Sequence, residues 1–121
     1  MVNNHKEIQE KQTKGLMDII ILQIVDECPV HGYKILLTIR KNFGIYVGPS
    51  TIYPMLNTLE KNGYVDSKWD TYEMRPKRMY KITNKGHSAL LYAQSSLIQI
   101  CQNIDNIKKN TENLQIHMIG N

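Results

Sequence analysis

From Leu90 to Met118 the chain places a residue at alternating steps of three and four: Leu90, Ala93, Leu97, Ile100, Ile104, Ile107, Thr111, Leu114 and Met118. Eight of these nine are apolar, a seam kept over three to four heptads, which is the pattern of a long helix with a narrow apolar stripe. A stripe of that length is satisfied best by a second helix of the same kind. The spacing therefore predicts a C-terminal helix pairing with its copy in a homodimer, through Leu90, Leu97, Ile100, Ile104, Ile107 and Leu114. The competing arrangement folds this helix back on its own domain. Three further predicted helices already have apolar faces to fill that core, which favours the second copy.

The stretch 47–62, VGPSTIYPMLNTLEKN, reads as one helix with a defined start and stop. Pro49 sits where a first helical residue loses nothing by lacking its N–H, and Asn62-Gly63 tolerates a left-handed turn at the far end. Ile52, Met55, Leu56 and Leu59 make an apolar face. Ser50, Thr51, Tyr53, Asn57 and Thr58 make the opposite one, polar near the start. Hydroxyls beside free backbone N–H groups at a helix N-terminus suit phosphates and base edges. A merely solvated surface helix would carry the same residues. Pro54 is unusual here, because a proline within a helix removes the bond to the carbonyl four residues back.

Upstream, residues 3–13 are polar and read as a short exposed helix or an arm. Residues 16–27, LMDIIILQIVDE, are apolar on nearly every side, as befits a helix at the centre of a small core. Cys28-Pro29 ends it. His31-Gly32-Tyr33 opens a second helix over about 31–42, with Ile35, Leu36 and Ile39 facing inward and Gly44 as the stop. His31 stands near a turn with no metal-ligand spacing around it and reads as structural.

Between 64 and 82 two short runs rich in aromatic and β-branched residues flank a polar middle, the pattern of a two-stranded hairpin pairing 64–69 with about 77–82. Pro76 suits its tip. From Lys61 to Lys85 there are seven basic residues and three acidic ones, while the eight basic and eight acidic residues elsewhere cancel. The whole surplus of +4 is thus concentrated on the hairpin and its flanks. Such a field favours a polyanionic partner, with a solvated charged loop as the alternative. Tyr33, Tyr64 and Tyr80 read as core or hairpin packing, with contact to such a partner as the alternative. Thr83 is placed to cap the last helix.

The totals narrow the class. At 121 residues, 41% hydrophobic and 21% charged, the chain is one small folded protein rather than a disordered one. The longest strongly apolar run is Ile19–Leu22, too short for a membrane span, and the N-terminus lacks an apolar signal core. Cys28 and Cys101 lie far apart and read as buried apolar thiols in a reducing, cytoplasmic setting. No Ser-His-Asp set, paired carboxylate motif or phosphate-cradling glycine loop is present, and His5, His31, His87 and His117 are scattered. No metal, cofactor or catalytic activity is expected.

The expected class is mainly α with a β-hairpin wing: a winged helix-turn-helix over residues 1–83, followed by a dimerisation helix over 84–121. At this point the chain resembles the PadR family of winged-helix transcriptional regulators. The resemblance rests on Gly15-Leu16, His31-Gly32-Tyr33, Thr51-Ile52-Tyr53-Pro54 with Leu56, Leu59, Glu60 and Gly63, then Arg75-Pro76-Lys77-Arg78, Tyr80, Thr83 and Gly86. It runs in one register from about residue 14 to 90. The single helix after the hairpin is similar to the family's small subgroup. The resemblance implies a homodimer that binds double-stranded DNA at an inverted repeat and represses by occluding the promoter. Some small members hold drug-like compounds between tryptophans at the dimer interface; here Trp69 falls in the wing strand and the last helix has none, so an effector ligand stays open.

On this reading Ser50, Thr51, Tyr53 and Asn57 meet bases or phosphates in the major groove. Lys68, Arg75, Lys77 and Arg78 flank the groove from the wing, and Lys14 and Lys34 contact the backbone. Two other classes fit the same residues: a winged-helix module that binds an acidic protein surface, and an architectural DNA binder with little sequence preference.

Overall fold

The computed structural model describes residues 4–72 and 74–119, with side chains through 115. Met118, the end of the predicted apolar row, therefore lies outside the described side chains. Helix α1 (Asn4–Gly15) is polar and mostly exposed, and its one buried residue is Thr13, whose hydroxyl donates to the Gln9 carbonyl at 2.8 Å. Helix α2 (Met17–Glu27) buries Met17, Ile21, Leu22 and Val25, while Ile19, Ile20 and Ile24 pack partly against the same core. Its nearly all-round apolar surface is used in that way.

Strand β1 (Val30–His31) leads directly into helix α3 (Gly32–Phe43), whose Ile35, Leu36 and Ile39 are fully buried. Gly32 lets α4 approach closely: a Cβ there would stand 2.8 Å from the Tyr53 ring, which would have to shift. Gly44 ends α3 in the left-handed region, at φ 63°, and its N–H donates to the Arg40 carbonyl. Arg40 then ties the following connection down, donating from Nε to the Val47 carbonyl at 2.8 Å with its guanidinium 4.4 Å from the Tyr46 ring centre.

Helix α4 (Pro49–Lys61) starts on Gly48 with Pro49 in its first turn. It ends in a Schellman motif: Gly63 adopts φ 82°, its N–H donates to the Glu60 carbonyl, and the Tyr64 N–H donates to the Leu59 carbonyl. Ile52, Leu56 and Leu59 are buried and Met55 is half-buried, so the predicted apolar face is the inner one. Pro54 sits within the helix, leaving the Ser50 carbonyl without its usual donor four residues on.

Strands β2 (Val65–Asp70) and β3 (Lys77–Ile82) pair antiparallel, Ser67 opposite Tyr80 and Trp69 opposite Arg78. The sheet has three strands in the order β1-β3-β2, not the two the sequence suggested, because Val30 and His31 pair with Tyr80 and Met79. Two residues are too short a run to register as a strand in a sequence. Helices α3 and α4 with their connection form the helix-turn-helix, and β2–β3 is the wing of a winged helix.

Helix α5 (Asn84–Ile119) begins on Thr83. The Thr83 hydroxyl accepts from the Gly86 N–H at 3.0 Å, the geometry of a helix cap, and donates to the Gly63 carbonyl at 2.6 Å. Gly86 leaves room for this docking, since a Cβ would stand 2.0 Å from the Tyr64 carbonyl oxygen. His87 Nδ1 lies 2.7 Å from Asp26 Oδ1 on α2. The first compact unit runs through Leu90, and residues from Leu91 onward form a second.

Leu90 itself is 1% exposed in the core of the first unit. It fills the domain and drops out of the predicted dimer row. The two cysteines also correct the sequence reading: both are exposed, Cys28 where α2 gives way to extended backbone and Cys101 on α5. Tyr80 packs in the core as expected and Tyr64 lies against it, but Tyr33 is exposed, because it stands on the outer side of the first turn of α3.

Candidate nucleic-acid interface

The outer face of α4 carries Ser50, Thr51, Tyr53, Pro54, Asn57 and Thr58, all exposed. Its first turn presents the Ser50 and Thr51 hydroxyls at the positive end of the helix dipole, while the Thr51 and Ile52 N–H groups both donate to the Gly48 carbonyl at 3.1 Å. Thr58 instead folds its hydroxyl back onto the Pro54 carbonyl, at 3.0 Å. The polar face predicted from the spacing is therefore real, and its N-terminal half keeps its side chains directed outward.

Beside this face lies an open cleft of about 620 Å³ between the helix-turn-helix and the wing. Its helical wall is Gly32, Tyr33, Tyr53 and Asn57, and its wing wall is Trp69, Pro76, Lys77, Arg78 and Tyr80, with His31 at the junction. Tyr33 and Trp69 are both more than half exposed. Four elements, α3, α4, β2 and β3, thus bring planar rings and cations to one concavity. That combination offers stacking surfaces and charge-assisted donors to a polyanion. Sequence reasoning assigns Tyr53, Asn57, Lys77 and Arg78 to such a surface, favours packing over contact for Tyr33, and places Trp69 only as a residue of the wing strand.

Strand alternation separates the wing cations. Ser67, Trp69, Arg78 and Tyr80 share the sheet face that meets the helices, whereas Lys68, Met79 and Lys81 line the opposite side with Asp66 and Pro29. Lys68 is therefore not a neighbour of Arg78. Arg75 stands exposed near the wing tip, outside the cleft. Lys14 at the end of α1 and Lys34 in the first turn of α3 are exposed and also lie outside it.

Arg78 differs most from its sequence-based expectation. Its Nε donates to Ser67 Oγ at 2.6 Å, its Nη2 lies 3.4 Å from Glu60 Oε1, and its guanidinium stands 5.5 Å from the Trp69 ring centre. Ser67 in turn donates its own proton to Glu60 Oε2 in a short bond. The side chain expected to meet phosphates is held by partners within the protein.

His31 also has a partner, Asp70 Oδ2 at 3.1 Å, which joins the start of α3 to the end of β2. The Asp70 carboxyl is held below the usual carboxylate range, chiefly because the Tyr72 N–H donates to it at 3.1 Å and secondarily through His31. Burial pushes the Tyr80 phenol above its ordinary value, with Arg78 opposing in part. Among the described residues, no group of three or more His, Cys, Asp or Glu side chains is placed to hold a metal ion. None of the described helices is long and apolar enough to cross a membrane.

Comparison with known proteins supplies the identity of this arrangement. Transcriptional regulator Rv3488 of Mycobacterium tuberculosis is 29% identical over 84 residues, which span 69% of this chain and 78% of that protein. A PadR family transcriptional regulator from Eggerthella lenta superposes with a TM-score of 0.75 at 23% identity, over 84% of this chain and 88% of that one, a likeness of fold. The protein smu.1704 of Streptococcus mutans is 31% identical with a TM-score of 0.66, over 78% and 87%. The family model for PadR-like transcriptional regulators matches residues 21–91, from the core of α2 through the wing to the start of α5, and the chain belongs to that family.

Proposed function

We propose that this regulator binds double-stranded DNA with sequence preference, as a homodimer on an inverted repeat, and represses transcription by occluding the promoter. The observation that carries the reading is the outward-facing polar first turn of α4 standing beside the basic, ring-lined cleft of the wing. In this account Ser50, Thr51 and Asn57 reach base edges or phosphates in the major groove, and Tyr53 reaches a phosphate or a thymine methyl. Lys77 and Arg75 follow the phosphates on the wing side, and Lys14, Lys34 and Lys68 add longer-range attraction.

The dimer is supported by the bare apolar row on α5. Leu97 is half-buried, and Ile100, Ile104, Ile107 and Leu114 are exposed, so a second copy would cover a continuous stripe. Two recognition helices related by a twofold axis would read half-sites about one helical turn apart, ~34 Å. The test is selection of bound duplexes from a random-sequence pool. An enriched palindromic consensus with that spacing is expected. A pool that binds but yields no consensus would point to an architectural DNA binder, and a pool that does not bind would leave a protein-contact module.

A further inference from the structure

We propose that Arg78 is a positioning residue: through Ser67 and Glu60 it locks the wing onto the C-terminal half of α4, and DNA affinity depends on that lock rather than on a phosphate contact by Arg78. This rests on the DNA-binding reading above.

The geometry is a directed chain across three elements. Arg78 on β3 donates from Nε to Ser67 Oγ on β2 at 2.6 Å, and Ser67 passes its single proton on to Glu60 of α4. The Ser67 hydroxyl is the one group there that can accept and donate at once, so the polarity of the chain is fixed from cation to carboxylate. Arg78 Nη2 closes the loop on the other Glu60 oxygen at 3.4 Å. The side chains of Arg78 and Glu60 are 39% and 28% exposed, so the ion pair alone would contribute little in water. What it contributes is angle: Glu60 lies in the last turn of the recognition helix, and Arg78 on the wing strand is fixed relative to it. Trp69, opposite Arg78 on β2, closes the outer side, 5.5 Å from the guanidinium. A guanidinium already spanning Ser67 and Glu60 has its charge largely answered before any phosphate arrives.

Glu60 makes the test decisive, because bulk electrostatics and the lock predict opposite signs. Removing a carboxylate beside a DNA-binding face should strengthen binding if charge alone matters. Under the lock, Glu60→Ala weakens it. Equilibrium titrations of a selected duplex at several salt concentrations are expected to show Arg78→Ala and Glu60→Ala each weakening binding about tenfold, with the double variant no worse than either. The salt slope of Arg78→Ala stays that of the wild type, and Glu60→Gln, whose amide oxygen still accepts from Ser67, restores most of the affinity. Trp69 is the chain's sole tryptophan, so its emission in the free protein reports the lock directly. It should shift in Arg78→Ala and Glu60→Ala and return in Glu60→Gln.

A salt slope lowered by about one unit in Arg78→Ala, with Glu60→Ala unchanged or tighter, overturns the proposal and makes Arg78 a phosphate ligand. If the wild-type protein binds no duplex, the DNA reading fails separately and the Trp69 emission decides the lock. A shift in both Ala variants supports the coupling, and a shift in Arg78→Ala alone overturns it.

Discussion

Two stretches of this protein solve the problem of apolar surface in opposite ways. In the unit ending at Leu90, large side chains from α2, α3, α4, the wing and the start of α5 cover one another, and Ile21, Ile35, Leu36, Ile39, Ile52 and Leu56 are fully buried. In the unit beginning at Leu91, no described side chain through residue 115 is buried. Ile98, Ile100, Ile104, Ile107 and Leu114 are each at least half exposed. Covering each such side chain is worth about 1.5–3 kcal/mol. The first unit has spent its apolar surface internally; the second still holds its own in reserve. The winged helix covers its apolar surface within one chain, whereas the heptad row on α5 leaves its own uncovered.

The largest expected effect breaks the second half of this contrast. Ile104→Lys places an unpaired charge in the middle of the row, and monomers are expected in sedimentation velocity, with the winged helix still folded by circular dichroism. A dimer that persists would mean the row is not the contact surface. Gly86→Ala strikes the first half instead. Its Cβ would meet the Tyr64 carbonyl oxygen at 2.0 Å, and a backbone atom yields poorly, so a loss of about 3 kcal/mol is expected in denaturant melts. An unchanged midpoint would show that the junction of α5 and the wing is loose.

Thr83→Ala should cost less, about 1 kcal/mol, by uncapping α5. Hydrogen exchange is expected to rise in the first turn of α5 and not in the residues beyond Leu91. The smallest effect is at Asp70. Its carboxyl is depressed in the folded state, so it contributes stability above its unfolded value and loses that contribution as pH falls through the folded one. Asp70→Asn should therefore lower the melting temperature slightly near neutral pH and not at all in strong acid. A difference that persists in acid would assign the effect to packing.

How much of this was legible in the sequence follows the same division. Periodicity revealed the buried faces of α3 and α4, because Ile35, Leu36, Ile39, Ile52, Leu56 and Leu59 repeat at helical spacing and burial obeys that spacing. It also revealed Thr83 as a cap and Gly63 as a helix stop, since both are local chemistry. Periodicity does not mark where the domain core ends along one continuous apolar row: Leu90 shares the spacing of the seam and yet fills the domain. Nor could it reveal partners brought in from distant elements. His31 finds Asp70, and Arg78 finds Glu60 and Ser67, across separations that no local pattern encodes. Counting cations predicted a basic wing, but the expected pairing of 64–69 with about 77–82 sets Lys68 opposite Arg78, and the observed register, shifted by one residue, puts them on opposite faces.

Whether this regulator reads DNA through the first turn of α4 is decided by competitive titration at near-physiological salt. The protein is offered a duplex recovered by selection and a scrambled duplex of equal length and composition. A preference on the order of a thousandfold, falling sharply in Ser50→Ala and Thr51→Ala while overall fold is kept, is the result expected. Equal affinity for both duplexes, or a preference indifferent to Ser50 and Thr51, would contradict it.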